Sequence, residues 1–325
     1  MMLTRAQITA HGGPEVIAWV EEDIPSPGEG EVLIEHTAIG LNFIDTYHRS
    51  GLYPIAMPNG LGLEATGRVT GLGAGVTDFA LGERVAYLGP ALGAYATHRM
   101  MPADSLFKVP DGVSDNVAAA AILKAATTEA FVERCAQVAD GDTVLVHAAA
   151  GGVGLIMAQW LKAKGARVIG TVSTRDKAEL AREAGCDEII LYGEEDTPAR
   201  VREMTAGAGV PTVFDGVGAD TFHASLDCLR PRGLLVSFGN ASGAVDGVNL
   251  GILAQKGSLF VTRPTLFHYY ATPNERAAGM ARVWEMIETG KVRVNIGQTY
   301  ALKDAAKAHA DLEARATTGS TVLIP

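Results

Sequence analysis

The sequence predicts an α/β protein in two parts, a small, partly open β-barrel and a doubly wound parallel sheet. Three observations carry this prediction. Residues 1–122 read as short strands punctuated by glycine and proline. The apolar run Thr143-Val144-Leu145-Val146 then leads into Gly151-Gly152-Val153-Gly154 and a helical pattern. Strands and helices alternate from there to about residue 262.

Within the first part the strands are Val32–His36, Ala65–Val69, Arg84–Tyr87 and Ala94–His98. Turn signals recur about every ten residues, the spacing of a small antiparallel barrel. Gly71-Leu72-Gly73-Ala74-Gly75 resembles a phosphate loop, but no apolar helix follows it, so it reads as a strand-to-strand turn.

The glycines after Val146 are of a different kind. A strand running into such a turn and then a helix is the geometry that receives a dinucleotide pyrophosphate. Gly151 admits the phosphates to the backbone and Gly154 lets the helix approach the strand; Ala149 stands where the first glycine of G-x-G-x-x-G is usual. Val153, Ile156, Met157, Trp160 and Leu161 form one apolar helical stripe. Lys162, Lys164 and Gly165 close that helix, with cations at its negative end. The strand Ala166–Val172 completes a βαβ unit. Glu188–Leu191, Pro211–Asp215, Gly233–Phe238 and Ser258–Val261 bring the strands of this domain to about six. Ser320–Ile324 reads as a strand that rejoins the first domain. The expected division is therefore residues 1–122 with 263–325 returning to them, and 123–262 as the nucleotide-binding domain.

The end of the second βαβ strand selects the cofactor. About twenty residues beyond the glycines an NAD-binding chain places Asp or Glu against the ribose hydroxyls. Here the residues are Ser173-Thr174-Arg175-Asp176-Lys177. A hydroxyl and two cations suit a 2′-phosphate, so the cofactor expected is NADPH. Asp176 reads as a solvent-facing residue of a helix start.

Composition bounds the rest. With 325 residues, 47% hydrophobic, the chain can fill two cores. A net charge of −10 disfavours a surface that tracks nucleic acid. Cys135, Cys186 and Cys228 are odd in number and far apart, which suits reduced thiols and a cytoplasmic setting. Met1–Arg5 lacks the apolar core of a signal peptide, and no apolar run reaches the length of a membrane span. His36, His48 and His98 lack partners at ligand spacing and read as core or surface histidines.

Asn42-Phe43-Ile44-Asp45-Thr46-Tyr47, Arg49-Ser50-Gly51-Leu52-Tyr53-Pro54, Ala148–Gly154, Val236-Ser237-Phe238-Gly239-Asn240 and Arg315-Ala316-Thr317 together resemble the NADPH quinone oxidoreductases. These are the zeta-crystallin-like, zinc-free branch of the medium-chain dehydrogenase/reductase superfamily, and the resemblance spans essentially the whole chain. It implies a GroES-like catalytic barrel beside a Rossmann domain. The zinc-dependent branch uses thiolate and imidazole ligands. This chain has no cysteine in Ala38–Phe43 or anywhere before Cys135, and Gly62-Leu63-Glu64 where the zinc enzymes read Gly-His-Glu. No metal is expected, and Glu64 reads as a residue tying the barrel together.

The resemblance also implies the site. Asn42 and Thr127 would lie near the nicotinamide, and Ala150, Gly151, Gly152 and Val153 on the pyrophosphate. Ser173, Lys177, Tyr192 and Arg315 would surround the 2′-phosphate. Gly216, Val217, Phe238, Gly239 and Asn240 follow strands at the carboxyl end of the sheet, where parallel sheets bind ligands. Without a Lewis acid, a quinone or activated enone is the acceptor that needs least help, since its conjugated system spreads the charge that arrives with hydride. Asn42, Tyr47 and Tyr53, on the loop expected after the strand at 32–39, are the candidates near the acceptor oxygen. Phe267, His268, Tyr269 and Tyr270 would either line the acceptor pocket or form a buried connection between the domains.

The expected function is NADPH-dependent quinone reduction. Reduction of α,β-unsaturated aldehydes or ketones is the alternative, and a structural or RNA-binding role of the crystallin kind is a third. Gly257–Pro264, as the last strand of its sheet, would lie at an edge and pair across a two-fold axis in a homodimer.

Overall fold

The structure, a computed structural model, describes residues 2–325. Its first strands are β1 (Met2–Gln7), β2 (Ala18–Asp23) and β3 (Glu31–Leu41), followed by helix α1 (Phe43–Ser50). Next come β4 (Glu64–Leu72), β5 (Arg84–Leu88), β6 (His98–Pro102), β7 (Leu106–Lys108) and α2 (Asp115–Glu129), which continues as a π-helical turn to Cys135. An alternating stretch follows: β8 (Thr143–Val146), α3 (Gly152–Ala163), β9 (Arg167–Val172), α4 (Arg175–Glu183), β10 (Glu188–Leu191) and α5 (Thr197–Met204). It continues through β11 (Val210–Asp215), α6 (Phe222–Cys228), β12 (Leu229–Ser237), α7 (Gly251–Gln255) and β13 (Phe260–Thr262). The remainder is α8 (Leu266–Tyr269), α9 (Pro273–Glu288), β14 (Ile296–Ala301), α10 (Ala305–Glu313) and β15 (Ser320–Ile324).

The chain divides into two units: residues up to Lys124 with 272–284 and 294–325, and residues 125–271 with 285–293. Residues 263–271 and 285–293, expected with the first domain, thus belong to the second. Side-chain bonds explain the difference. The Tyr270 hydroxyl donates to Glu129 at 3.2 Å, and Arg134 donates to the Tyr269 carbonyl at 2.6 Å. Gln159 on α3 binds the Arg293 backbone in both directions, at 3.0 and 2.8 Å.

In the first unit a sheet runs β14-β15-β3-β4-β5-β7, with β6 also paired to β3. β3 is long enough to pair with β4, β6 and β15 along its length. Its core is apolar and closed: Val32, Ile34, Ile39, Leu61, Val85 and Tyr95 are shut off from solvent. Ala94–His98, expected as a strand, is not one. The strand begins at His98, and Ala96 makes a single bridge to Arg5. The apolar alternation there marks a buried loop whose Tyr95 points inward.

The second unit carries six parallel strands in the order β10-β9-β8-β11-β12-β13. Val144, Leu145, Val168, Ile169 and Val213 are fully buried, as expected of strands covered on both faces. Of the α3 stripe, Ile156, Met157, Trp160 and Leu161 are buried and Val153 half-buried. The helix ends in paired bonds from Gly165 N–H to Lys162 and Ala166 N–H to Leu161, a Schellman closure. β13 pairs only with β12 and forms one edge of the sheet, with Phe260 60% and Val261 38% exposed.

Candidate functional site

At the carboxyl end of the second unit's sheet, β8 passes through His147 to Ala148, which sits at φ +52°, a left-handed conformation uncommon outside glycine. The turn is held by Gly151 N–H on the Ala148 carbonyl at 2.9 Å, and Gly151 caps α3. α3 has no acidic residue in its first turn, so no carboxylate of that turn competes for its N-terminal N–H groups. A β-carbon on Gly154 would lie 2.3 Å from the Ala148 carbonyl oxygen and 2.7 Å from Ala149 Cα. Only glycine lets helix and strand approach this closely, which is the cradle a pyrophosphate requires.

Neighbouring strand ends bring in the other expected contacts. β9 ends at Val172, leaving Ser173 exposed, and Thr174 caps α4 by accepting from Lys177 N–H at 3.3 Å. Tyr192 donates its N–H to the Val172 carbonyl at 3.3 Å and is 45% exposed, so it stands beside Ser173. Arg175 is exposed and reaches Glu194 at 3.3 Å. Past β11 and β12, Gly216 and Gly239 touch: a β-carbon on Gly239 would lie 2.1 Å from the Gly216 carbonyl. Phe238 lies 5.7 Å ring-to-ring from Phe131, which is 6.1 Å from Tyr269. Val217 and Asn240 occupy the same two loops, and half-buried Thr127 lies on α2. Tyr269 and Tyr270 flank the Arg134 guanidinium within the second unit.

In the first unit, Asn42 is the residue before α1, not part of a loop carrying all three candidates: residues 43–50 are helical, so Tyr47 lies in a helix. The Asp45 carboxylate in the first turn of α1 is the reason, accepting from Asn42 N–H at 2.9 Å in a capping box. The Asn42 side-chain amide donates to Glu64 at 2.7 Å. Glu64 also accepts from Leu123 N–H at 2.6 Å and from Lys124 at 3.2 Å, and is fully buried. It ties β4 to α1 and α2. Tyr47 and Tyr53 meet edge to face at 5.2 Å, and Tyr53 N–H donates to the Tyr47 carbonyl at 3.1 Å. Arg315 belongs to this unit, exposed after α10 at φ +59°.

Several buried polar residues had no signal in the sequence pattern. Tyr95 donates to Asp45 at 3.0 Å and meets His309 Nε2 at 3.0 Å; His309 Nδ1 faces Arg49 at 3.3 Å, and Arg49 binds Glu313 at 2.6 Å. Burial pushes Asp45 up to about 7 despite its two hydrogen bonds, and pushes His309 down to about 3. His36 is a core histidine, bonded to the Ala96 carbonyl and the Tyr87 hydroxyl and lowered by burial to about 3. In the second unit, fully enclosed His147 links Thr171 to Ser225.

The donor set does not fit zinc. Glu64 is saturated by N–H donors, Leu63 is apolar and buried, and all three cysteines lie in the second unit. Among the described residues, no group of three or more His, Cys, Asp or Glu side chains is placed to hold a metal ion. No helix there is long and apolar enough to cross a membrane.

Two families match: the alcohol dehydrogenase GroES-like domain over residues 28–111 and the zinc-binding dehydrogenases over 152–279. A quinone oxidoreductase of Pseudomonas aeruginosa is 51% identical, covering 100% of both chains. A 2-haloacrylate reductase of a Burkholderia species is 44% identical, covering 100% of this chain and 99% of its own. The crystal structure of Escherichia coli quinone oxidoreductase complexed with NADPH superposes with a TM-score of 0.96 at 49% identity, covering 99% of this chain and 100% of the other. With its barrel, its six-stranded nucleotide sheet and relatives of this closeness over their full length, the chain belongs to the zinc-free quinone oxidoreductases of the medium-chain dehydrogenase/reductase superfamily.

Proposed function

We propose that this protein is an NADPH-dependent quinone reductase. The observation that carries the cofactor is the end of β9, the sheet neighbour of β8, where Ser173 follows the strand, Lys177 lies in the first turn of α4 and no carboxylate occupies residues 173–175. The full-length kinship with quinone oxidoreductases carries the acceptor. NADPH, when bound, supplies the hydride.

The protein's own part is to bind, orient and exclude water. Ala150, Gly151, Gly152, Val153 and the α3 N-terminus hold the pyrophosphate. Ser173, Lys177, Tyr192 and Arg315 hold the 2′-phosphate. Gly216, Val217, Phe238, Gly239 and Asn240 line the adjoining loops, and Asn42 and Thr127 serve the nicotinamide. Tyr47 or Tyr53 donates a hydrogen bond to the acceptor oxygen as charge develops on it. Apart from Arg315 and Asn42, these cofactor contacts fall in the unit of residues 125–271 with 285–293, and Asn42, Tyr47 and Tyr53 fall in the other. The exposed edge strand β13 supports a homodimer built by edge pairing, and the three thiols support a cytoplasmic setting.

A second reading is reduction of activated carbon–carbon double bonds, favoured by the 44% identity to a 2-haloacrylate reductase. Initial rates of NADPH and NADH oxidation against quinones and enones, with chelator present, separate the two. Fast, chelator-insensitive oxidation of NADPH by quinones is expected. Rates confined to enones would move the protein to double-bond reduction.

A further inference from the structure

Four buried polar side chains cross the second unit directly beneath its strand ends. The Thr171 hydroxyl lies 3.0 Å from His147 Nδ1, and His147 Nε2 lies 3.1 Å from Ser225 Oγ. Ser225 Oγ donates to Asp215 Oδ2 at 2.8 Å. Asp215 also accepts from Val217 N–H at 2.8 Å, from Gly218 N–H at 3.1 Å and from the Thr221 hydroxyl at 2.7 Å. All four side chains are closed to solvent, with exposures of 4% or less.

The bonds define one arrangement of protons. Ser225 gives its hydrogen to Asp215, so His147 Nε2 must carry a hydrogen and donate it to Ser225. His147 Nδ1 is then the acceptor of the Thr171 hydroxyl. Burial lowers the His147 pKa, in keeping with a neutral ring. Ser225 is fully enclosed and donates to the acid, not to the histidine, so this is no nucleophilic triad.

What matters is where the chain lies. β9, β8 and β11 are adjacent parallel strands. Thr171 is two residues before Ser173, His147 immediately precedes the Ala148–Gly151 turn, and Asp215 immediately precedes Gly216 and Val217. Thr171, His147 and Asp215 therefore each stand at the root of one of the three loops that the proposed function assigns to the 2′-phosphate, the pyrophosphate and the adjoining loop contact, and Ser225 on α6 joins His147 to Asp215. A line of apolar side chains would fill the same space without desolvating four polar groups. A fully satisfied buried chain instead fixes one geometry among the elements it joins.

We propose that the Thr171–His147–Ser225–Asp215 chain is a positioning device that holds these three loops at one mutual spacing, with His147 as its central positioning residue for NADPH binding. The proposal rests on the reading that NADPH binds these loops. None of the four side chains is exposed to touch the cofactor; they act through the backbone that follows them.

The test is Thr171→Val, nearly isosteric and remote from the exposed phosphate contacts, with Thr171→Ser as the conservative variant. NADPH dissociation constants by fluorescence titration, KM and kcat with 1,4-benzoquinone, and melting temperature are measured on each and on His147→Gln, which carries the test by itself should Thr171→Val not fold. The expected result is a roughly tenfold weaker NADPH affinity and higher KM, kcat at saturating NADPH near wild type, and recovery to within about twofold in Thr171→Ser. Lys177→Ala enters the same titration. Wild-type affinity in whichever of Thr171→Val and His147→Gln folds, with Lys177→Ala weakened, overturns the positioning role alone, even if the variant melts earlier. Wild-type affinity in all three overturns the NADPH reading of these loops and the positioning role with it.

Discussion

Replacing Asp45 by Asn should make the protein's stability less sensitive to alkali, by an amount that follows from the carboxylate's surroundings. Asp45 is fully buried. Burial is the largest influence on it and outweighs the hydrogen bonds from Asn42 N–H and Tyr95; Glu64 raises its pKa further and Lys124 lowers it. Beyond Tyr95 stand His309, neutral through burial, and Arg49. The result is a rise from 3.8 to about 7. With its folded pKa above the unfolded one, the group's stabilising contribution is complete below pH 3.8 and is lost as pH rises through about 7. Between pH 5 and pH 8 the loss spans about two pH units, or about 2–3 kcal/mol at 1.4 kcal/mol per unit. For a unit of this size that is roughly 5–10 °C in melting temperature. Asparagine carries no titrating proton, so the gap between the two proteins should widen in favour of Asp45→Asn by that amount from pH 5 to pH 8. His309 and other shared groups cancel in the comparison. Melting curves of both proteins at the two pH values provide the check, and parallel pH profiles would refute the argument that burial dominates this carboxylate.

Lys177→Ala should raise the KM for NADPH by on the order of 1–3 kcal/mol in binding terms while leaving NADH nearly unchanged; equal losses with both cofactors would show that Lys177 does not read the phosphate. Gly154→Ala places a β-carbon 2.3 Å from the Ala148 carbonyl, so the turn must open, and NADPH affinity should drop at least about tenfold with the circular dichroism spectrum retained. Val261→Lys on the edge strand should shift the protein to monomer in sedimentation velocity; an unchanged dimer would rule out edge pairing through β13.

Periodicity and punctuation in the sequence were enough for the parallel sheet, because a strand buried on both faces and a helix with one apolar stripe are local patterns. The glycine turn was legible for the same reason, since a close approach leaves its mark on residue type. The barrel was harder to read. Ala94-Tyr95-Ala96 mimics a strand because buried loops are also apolar, and α1 escaped because its start depends on Asp45, whose role is visible only once Asn42 N–H is seen to reach it. Polar networks such as Tyr95–His309–Arg49 and Thr171–His147–Ser225 join residues far apart in sequence. No local pattern announces such partners. The return of 263–271 to the second unit goes with the Tyr270 hydroxyl bond to Glu129, the Arg134 bond to the Tyr269 carbonyl and the Phe131–Tyr269 ring contact, which spacing does not encode.

The position of β15 bears on how the protein is made. It lies inside the first unit's sheet, between β14 and β3, with Val322 opposite Gly40. The sequence of the second unit intervenes between these partners. On the ribosome, therefore, the nucleotide-binding sheet can assemble while the barrel still lacks an interior strand and leaves the end of β3, Ile39–Leu41, unpaired on the flank that β6 covers only over Glu31–Glu35. The part synthesised first is the part that finishes last. Until β15 emerges, that short open edge at Ile39–Leu41 is the part of the barrel left exposed to wrong pairing.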